Sequence, residues 1–361
     1  MTDEEALSEA LVALKAVEDD GGVCEVMCNP TTRKIEAVIV STATMITNIK
    51  SHVPDLVLLD TTFGTNVDKY KLATLVYPCR RTNGTRVAAF VLLSDERDGN
   101  VQFMLEQFRN ICQPPFFFVD KDFHQLSLLN KLFPSSTTFL CIFHVLKYMR
   151  TVIATANAQV DKEDIFRQLK RLIHSRDNES FEENVKKWKE LLSISVVVKI
   201  NGKIKSLEEY FDVNWLADDG DFLWATYHRR GKPLLYTNTT NRIESLFASL
   251  KKDMRTNKMA KCKLASFIPY LLSSLKRREF RHNLKVKRFR PRDSRFQGEL
   301  DQASLSKLTA LSLQLLNLKF VDMPVVCIIN NFAFCSITTT VTMTTIQLLL
   351  SLVCALTEHP H

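Results

Sequence analysis

The sequence contains little glycine and proline, and it lacks the motifs of several common enzyme classes. Nine Gly and eleven Pro in 361 residues exclude a collagen-like chain or one made mainly of linkers. There is no Gly-rich phosphate loop, no His-Glu-x-x-His helix and no Gly-x-Ser-x-Gly turn, so these three chemistries are not indicated. The acidic start, residues 1–5, lacks the basic and apolar regions of a secretory signal, and we therefore expect a protein that is not exported.

The composition is that of a folded protein. Hydrophobic residues make up 45% and charged residues 24%, which is close to the globular average. The length predicts about two domains, or one domain with a large insertion. The nine Cys are odd in number and scattered from Cys24 to Cys354, which favours reduced thiols in the cytosol or nucleus over a disulfide framework. Of these two compartments the nucleus is the expected one, and the cytoplasm is the less favoured alternative.

Positive charge is concentrated in one segment. Residues 251–292 carry fifteen Lys or Arg against two acids, a net charge of +13, so the rest of the chain has a net charge of −5. Such a stripe is typical of a polyanion-binding surface, and its densest part also resembles a nuclear import signal. A solvated helix face is the alternative. The candidate nucleic-acid-binding residues are Lys276, Arg277, Arg278, Arg281, Lys285, Lys287, Arg288 and Arg290.

The end of the chain has the opposite character. Residues 323–357 include no charged side chain, and this length is sufficient to span a bilayer. Asn330, Asn331 and a Thr-rich patch interrupt the apolar run, so a membrane span is the less favoured interpretation. The other two interpretations are a packed β or helical segment and an atypical chain end that results from truncation or alternative splicing.

The order of predicted elements indicates an α/β fold. A first helix precedes two strands, 23–28 and 35–41, that are joined by a turn, and a helix follows over 43–51. Further strands are predicted at 55–60, 70–77, 86–93, 116–120 and 137–141, with helices at 98–112 and 123–132 among them. Asn83-Gly84 predicts a hairpin turn. Residues 144–192 read as helical, and the next helix is expected to begin near Thr240.

Two buried strands each end on a carboxylate, Asp60 and Asp120. Open α/β sheets place their ligand sites at this edge, and converging carboxylates require a cation, a proton or a basic partner. Mg²⁺ or Mn²⁺ would serve, because these ions prefer oxygen ligands. Alternatively, Asp60 opens a turn and Asp120 or Asp122 caps the helix that follows.

Four blocks of sequence occur in an order that resembles a known family. They are residues 55–66 (DLVLLDTTFGTN), residues 119–122 with the later LFP and LCIFHV strings, residues 214–215 (NW), and residues 238–245 (NTTNRIES). This order resembles that of the Mutator-like (MULE) transposases and their domesticated relatives, the SWIM-type zinc-finger proteins, over about residues 20–260.

The resemblance implies an RNase H-like fold, a mixed sheet flanked by helices with a mainly helical insertion before the last core helix. It also implies an Asp, Asp, Glu triad that binds divalent metal for DNA strand transfer, which would here be Asp60, Asp120 and Glu244. Cys141 and His144 match the family's Cys-x-x-His signature. They are half a zinc site at most, and a buried thiol beside a hydrogen-bonded His is the alternative. The family's SWIM zinc module is not seen, which makes zinc an unexpected cofactor.

We therefore expect a domesticated, transposase-derived nuclear protein that binds DNA, with the metal centre either retained or lost. The alternative is a non-enzymatic regulator or adaptor that uses the fold as a scaffold, and a third interpretation is a truncated product without independent function. The expected parts are an N-terminal helix and hairpin (1–50), the first part of the core (51–144), the insertion (145–237), a returning core helix (238–260), a basic helical segment (261–320) and the uncharged tail (321–361).

Overall fold

The computed structural model describes most of the chain up to residue 288 and two short segments beyond it. The described residues are 3–79, 82, 84–120, 123–156, 161–192, 196–200, 203–216, 224–232, 234, 237, 239–259, 261–288, 325–329 and 332–337. Asn83, Asp122, Arg290 and most of the uncharged tail lie outside these ranges, as does part of the motif around residue 238.

Seven strands and five helices form the first part of the chain. In chain order they are α1 (Asp3–Asp19), β1 (Val23–Cys28), β2 (Ile35–Ser41), α2 (Ala43–His52), β3 (Leu56–Thr62), β4 (Lys71–Pro78), β5 (Thr85–Leu93), α3 (Asp98–Ile111), β6 (Phe116–Val119), α4 (Phe123–Leu132), β7 (Thr137–Leu140) and α5 (Ile142–Ala154). These are the strands and helices that the sequence predicts, with ends that differ by one or two residues.

The second part is mainly helical. Its elements are α6 (Lys162–Ile173), α7 (Asn178–Leu192), β8 (Val197–Ile200), β9 (Lys203–Ser206), α8 (Leu207–Trp215), a short 3₁₀ turn (Thr226–Arg229), α9 (Asn241–Thr256), α10 (Leu264–Arg288), β10 (Val325–Ile329) and β11 (Phe332–Ile337). The predicted helical stretch after His144 is thus three helices, and it is followed by the β8–β9 hairpin, which no pattern in the sequence predicts.

One mixed sheet organises the core. Its strand order is β1-β2-β5-β4-β3-β6-β7. Strands β1 to β5 pair antiparallel, whereas β3, β6 and β7 run parallel to one another. Because parallel strands share an edge at their carboxyl ends, the ends of β3, β6 and β7 meet on one side of the sheet.

Both faces of this sheet are covered, which explains why its strands read as continuous apolar runs. In β3 the four residues from Leu56 to Leu59 are all at most 1% exposed. On one face Val57 and Leu59 pack with α3, α4, α5 and the helices of the insertion. On the other face Leu56 and Leu58 pack with α1, α9 and α10.

Aromatic side chains hold the insertion together. Trp188 of α7 is fully buried against Phe211 of α8, with ring centroids 4.9 Å apart. Trp224 meets Trp215 edge to face at 6.1 Å and donates its indole N–H to the Trp215 carbonyl oxygen. The insertion is therefore a packed extension of the core that begins after β7 and ends before α9.

Helix α10 runs along the covered sheet from one edge to the other. Its first residue, Leu264, donates its backbone N–H to the carboxylate of Asp68, in the loop after β3. Near its other end, His282 lies 3.3 Å from the hydroxyl of Thr82, in the β4–β5 connection. Since β4 runs antiparallel to β3, that connection lies at the edge opposite the carboxyl end of β3.

A buried ion pair fixes α10 to the sheet. The Arg86 guanidinium of β5 donates to the Glu279 carboxylate at 3.1 Å, and the two side chains are 2% and 10% exposed. Asn48 of α2 also donates to Glu279, and Arg86 donates to the side-chain oxygen of Asn283. One rotational setting of α10 is thereby specified.

In the uncharged tail, β10 and β11 form an antiparallel hairpin. Among the described residues, none of the helices combines the length and apolar character that a membrane crossing requires. The rest of the tail is outside the described ranges.

Candidate functional site

Two strands deliver carboxylates to the same face of the sheet. Asp60 lies in β3 and has the same parity as Leu56 and Leu58, which point to the face covered by α9. Asp120 follows β6 and has the parity of Phe118, which points to that same face. β3 and β6 pair directly and in parallel, so both carboxylates lie at the carboxyl edge.

Helix α9 brings the third acid. Ile243, Phe247, Leu250 and Met254 form its buried stripe, with the spacing of an amphipathic helix. This stripe packs α9 beside β3 and sets Glu244 in the first turn of the helix. We call Asp60, Asp120 and Glu244 the carboxylate cluster.

His144 lies between two members of the cluster. Its Nδ1 is 3.5 Å from Oδ1 of Asp120, and its Nε2 is 3.4 Å from Oε1 of Glu244. The His144 side chain is 16% exposed, whereas those of Asp120 and Glu244 are 47% and 41% exposed. The carboxylates are therefore open to solvent on one side and backed by an imidazole on the other.

Contacts between Cys141 and Thr240 connect the start of α5 to the start of α9. Cys141 is the residue before α5 and is fully buried. Its sulfur accepts from the backbone N–H of Thr240 at 3.3 Å and from its hydroxyl at 3.4 Å. The same hydroxyl lies 3.4 Å from Nδ1 of His144. Of the two interpretations of Cys141 and His144, these contacts favour the buried, hydrogen-bonded pair.

The electrostatics of the site follow from burial and from these contacts. Burial raises the pKa of Asp60 to about 6, with Asp120 and Glu244 adding to the shift and the Thr61 N–H and His144 opposing it. The hydrogen bond with Cys141 raises the pKa of His144 to about 9. Burial would raise the pKa of Cys141, but hydrogen bonds from His144 and Thr240 outweigh it and lower that pKa.

The cluster has the donor type for a hard divalent cation, because carboxylate oxygens are the ligands that Mg²⁺ and Mn²⁺ prefer. The arrangement of these side chains, however, is not that of a metal site. Within the described part of the chain, no three His, Cys, Asp or Glu side chains are arranged to hold a metal ion. His144 instead lies close to two of the three acids, and its raised pKa favours the positively charged form there.

Arg229 supports the site from behind and is not among the residues that the sequence predicts. It is 5% exposed, donates to the carbonyl oxygens of Leu140 and Trp224, and lies over the rings of Phe118 and Phe139 at 4.7 and 5.7 Å. It thus fixes the ends of β6 and β7, from which Asp120 and Cys141 follow. No local motif marks it, because its partner Leu140 is 89 residues away in sequence and the two rings are farther still.

The predicted basic residues do not all face solvent. Arg278 is turned inward and donates to the Ser249 hydroxyl at 2.8 Å and to the Asp253 carboxylate at 3.3 Å. The exposed members among the described side chains, which we call the basic face, are Lys276, Arg277, Arg281 and Lys285. Lys287 and Arg288 belong to the helical backbone of α10, but their side chains are outside the description, and Arg290 is outside it altogether.

The strand order and the position of the acids define the class of domain. Strands β3, β4 and β5 form an antiparallel meander, and β6 and β7 extend it in parallel; one acid lies in the first of these five strands and another follows the fourth. This is the RNase H-like arrangement that the resemblance implies.

A comparison with protein families agrees. Residues 15–139 match the model of the RNaseH-like domain of zinc finger SWIM domain-containing protein 1/3, which confirms the predicted resemblance and fold and supports a transposase-derived scaffold. The matched stretch includes Asp60 and Asp120 and ends before Cys141. None of the curated proteins matches the chain.

Proposed function

We propose that this protein is a nuclear, nucleic-acid-binding protein built on a transposase-derived RNase H-like scaffold. The observation that carries the proposal is the basic face. Arg277, Arg281 and Lys285 recur at i, i+4 and i+8, the spacing of one helix face, and the exposed Lys276 lies next to Arg277, while the intervening Arg278 and Glu279 are used in packing. A row of exposed cations releases condensed counterions when it meets phosphates, and DNA is the expected partner.

Charge reversal tests the basic face. Lys276, Arg277 and Arg281 are exposed, so replacing each with Glu should leave the fold intact. Binding to duplex DNA should weaken, and the slope of log affinity against log salt should fall by about 3. The matched control reverses three exposed cations of the insertion, Arg171, Lys186 and Lys187, to Glu. Equal loss in both variants, or no loss in either, would refute the proposal.

Nuclear location rests on the same segment, because Lys- and Arg-rich stretches are read as import signals. The same two triple variants, fused to a fluorescent protein, provide the test. The reversal on α10 should retain the protein in the cytoplasm, whereas the reversal in the insertion should not. If both variants remain in the nucleus, residues Lys276, Arg277 and Arg281 are not required for import.

A second candidate function is metal-dependent strand cleavage or transfer, favoured by the convergence of Asp60, Asp120 and Glu244 beside an exposed opening. These carboxylates supply the oxygen donors for Mg²⁺ or Mn²⁺ but would have to rearrange to hold the ion, since the described side chains are not arranged around one. A bound ion would activate an attacking hydroxyl and stabilise the leaving oxygen of a phosphodiester. The alternative is the scaffold interpretation, in which the charge of His144 takes the place of the cation and the site is inactive.

Thermal unfolding of the full chain in the presence of Mn²⁺ separates the two. An ion that binds only the folded state adds about 2.7 kcal/mol at one hundred times its Kd. We expect Mn²⁺ to raise the Tm of the wild type but not that of Asp60→Asn or Glu244→Gln. The exposed Glu182→Gln in α7 is the control. An identical response of all four proteins would favour the scaffold.

A further inference from the structure

A cavity lies beside the basic face. It has a volume of about 270 Å³ and is formed by the end of α1, the start of α2 and the middle of α10. Val17, Met45 and Leu275 give it an apolar floor, and Phe280 and Lys276 belong to its lining. The volume is below the usual 300 to 1,000 Å³ of sites for drug-sized ligands, which favours an occupant about as large as one flat ring system.

Phe280 is the aromatic wall of this cavity and is 65% exposed. An exposed phenyl ring flanked on the same helix by Lys276, Arg277 and Arg281 has the composition of a surface that binds unpaired nucleic acid. In such surfaces cations contact the phosphates while a base stacks on the aromatic ring. The Glu279 carboxylate does not oppose this, because Arg86 neutralises it at 3.1 Å.

Two of the polar residues that line the cavity, Asp20 and Asn283, have hydrogen-bonding groups that suit some bases better than others. The exposed carboxylate of Asp20 is an acceptor only, and therefore fits an exocyclic amino group. Cytosine, adenine and guanine carry such a group, and thymine does not. Asn283 uses its side-chain oxygen for Arg86 at 2.8 Å, and its amide group carries two further donors.

We propose that this cavity binds one unpaired base of single-stranded nucleic acid, stacked on Phe280, with a preference for bases that carry an amino group. The inference rests on the proposed nucleic-acid-binding function and deepens it. It makes single strands, rather than duplex, the favoured ligand of the basic face.

The test compares three ligands of equal length at one salt concentration: oligo(dC), oligo(dT) and a mixed-sequence duplex. The full chain should bind oligo(dC) more tightly than oligo(dT), and both more tightly than the duplex. Phe280→Ala should weaken binding to both single strands about 5- to 150-fold, as expected for the loss of one stacked base. It should leave duplex binding unchanged. Asp20→Ala should abolish only the preference for oligo(dC).

A second variant acts on the cavity without altering α10. Thr44 lies at the start of α2, is exposed and lines the cavity, so Thr44→Trp should obstruct it. This variant should bind single strands weakly and duplex normally.

The possible failures are distinguishable. Equal wild-type affinity for strand and duplex, together with no effect of Phe280→Ala, would overturn the cavity proposal and leave the basic face standing. Absence of binding to all three ligands would overturn the proposed function as well.

Discussion

Breaking the Arg86–Glu279 pair should destabilise the protein strongly. Both side chains are buried, and their 3.1 Å contact fixes α10 to β5. Removing one partner of a buried pair leaves an uncompensated charge and costs about 3–5 kcal/mol. In a domain of this size that corresponds to a loss of roughly 10 °C in Tm. We therefore expect Arg86→Met and Glu279→Leu, each alone, to have effects of this size.

The double variant is the informative one. With both charges removed, no uncompensated charge is left, and apolar replacements of buried pairs are often neutral. The double variant should therefore recover at least half of the stability that either single change costs. Chemical denaturation followed by far-UV circular dichroism gives the four free energies of unfolding of the cycle.

A control cycle on an exposed pair completes the design. Lys187 and Glu183 form an i, i+4 ion pair on α7 with both side chains more than half exposed, and their coupling should be about 0.3–0.5 kcal/mol. If the Arg86–Glu279 cycle shows a coupling no larger than this, or if the two single changes simply add, the pair does not fix α10 to β5.

Three further outcomes are expected. Trp188→Ala should lower the free energy of unfolding by about 3–5 kcal/mol, because it leaves a cavity in the insertion. The exposed Val213→Ala should change it by no more than about 0.5 kcal/mol. Thermal or urea unfolding measures both. Arg229→Met should lower the free energy of unfolding by at least about 2 kcal/mol, because it leaves carbonyl groups unpaired. The exposed Arg230→Met should not have this effect. Equal losses in the two variants would contradict the role of Arg229 in fixing β6 and β7. Burial lowers the pKa of His228 to about 4, below its unfolded value of about 6.5. The unfolded chain therefore takes up the proton first. Stability should fall as the pH drops from about 6.5 towards 4, and a series of Tm values against pH should be flatter in His228→Gln.

The sequence predicts the core sheet well because its signals are local. Residues 55–60 and 116–120 are apolar runs that end on an acid. A strand that is buried on both faces has a continuous apolar run in its own sequence, so it can be predicted without knowledge of its neighbours. The stripe of Ile243, Phe247 and Leu250 likewise sets the rotation of α9, and with it the position of Glu244.

The remaining features depend on contacts between residues far apart in sequence. Thr240 reaches Cys141 across 99 positions, and the placement of His144 between Asp120 and Glu244 requires three elements to be assembled first. The β8–β9 hairpin is short, and β9 is largely exposed, so it gives little periodic signal. Arg278 reads as another surface cation until the position of α9 shows its partner, Asp253.

The course of α10 determines how far a ligand must extend to contact both the carboxylate cluster and the far end of the basic face. Asp60 pairs with Thr74 of β4, and the strand continues for four more residues to Pro78 before the connection that His282 contacts. Four residues of antiparallel strand span roughly 14 Å, or about four base pairs of duplex at 3.4 Å each. A DNA footprint at Arg281 and Lys285, the members of the basic face next to His282, should therefore be displaced by about four base pairs from any position cut at the carboxylates.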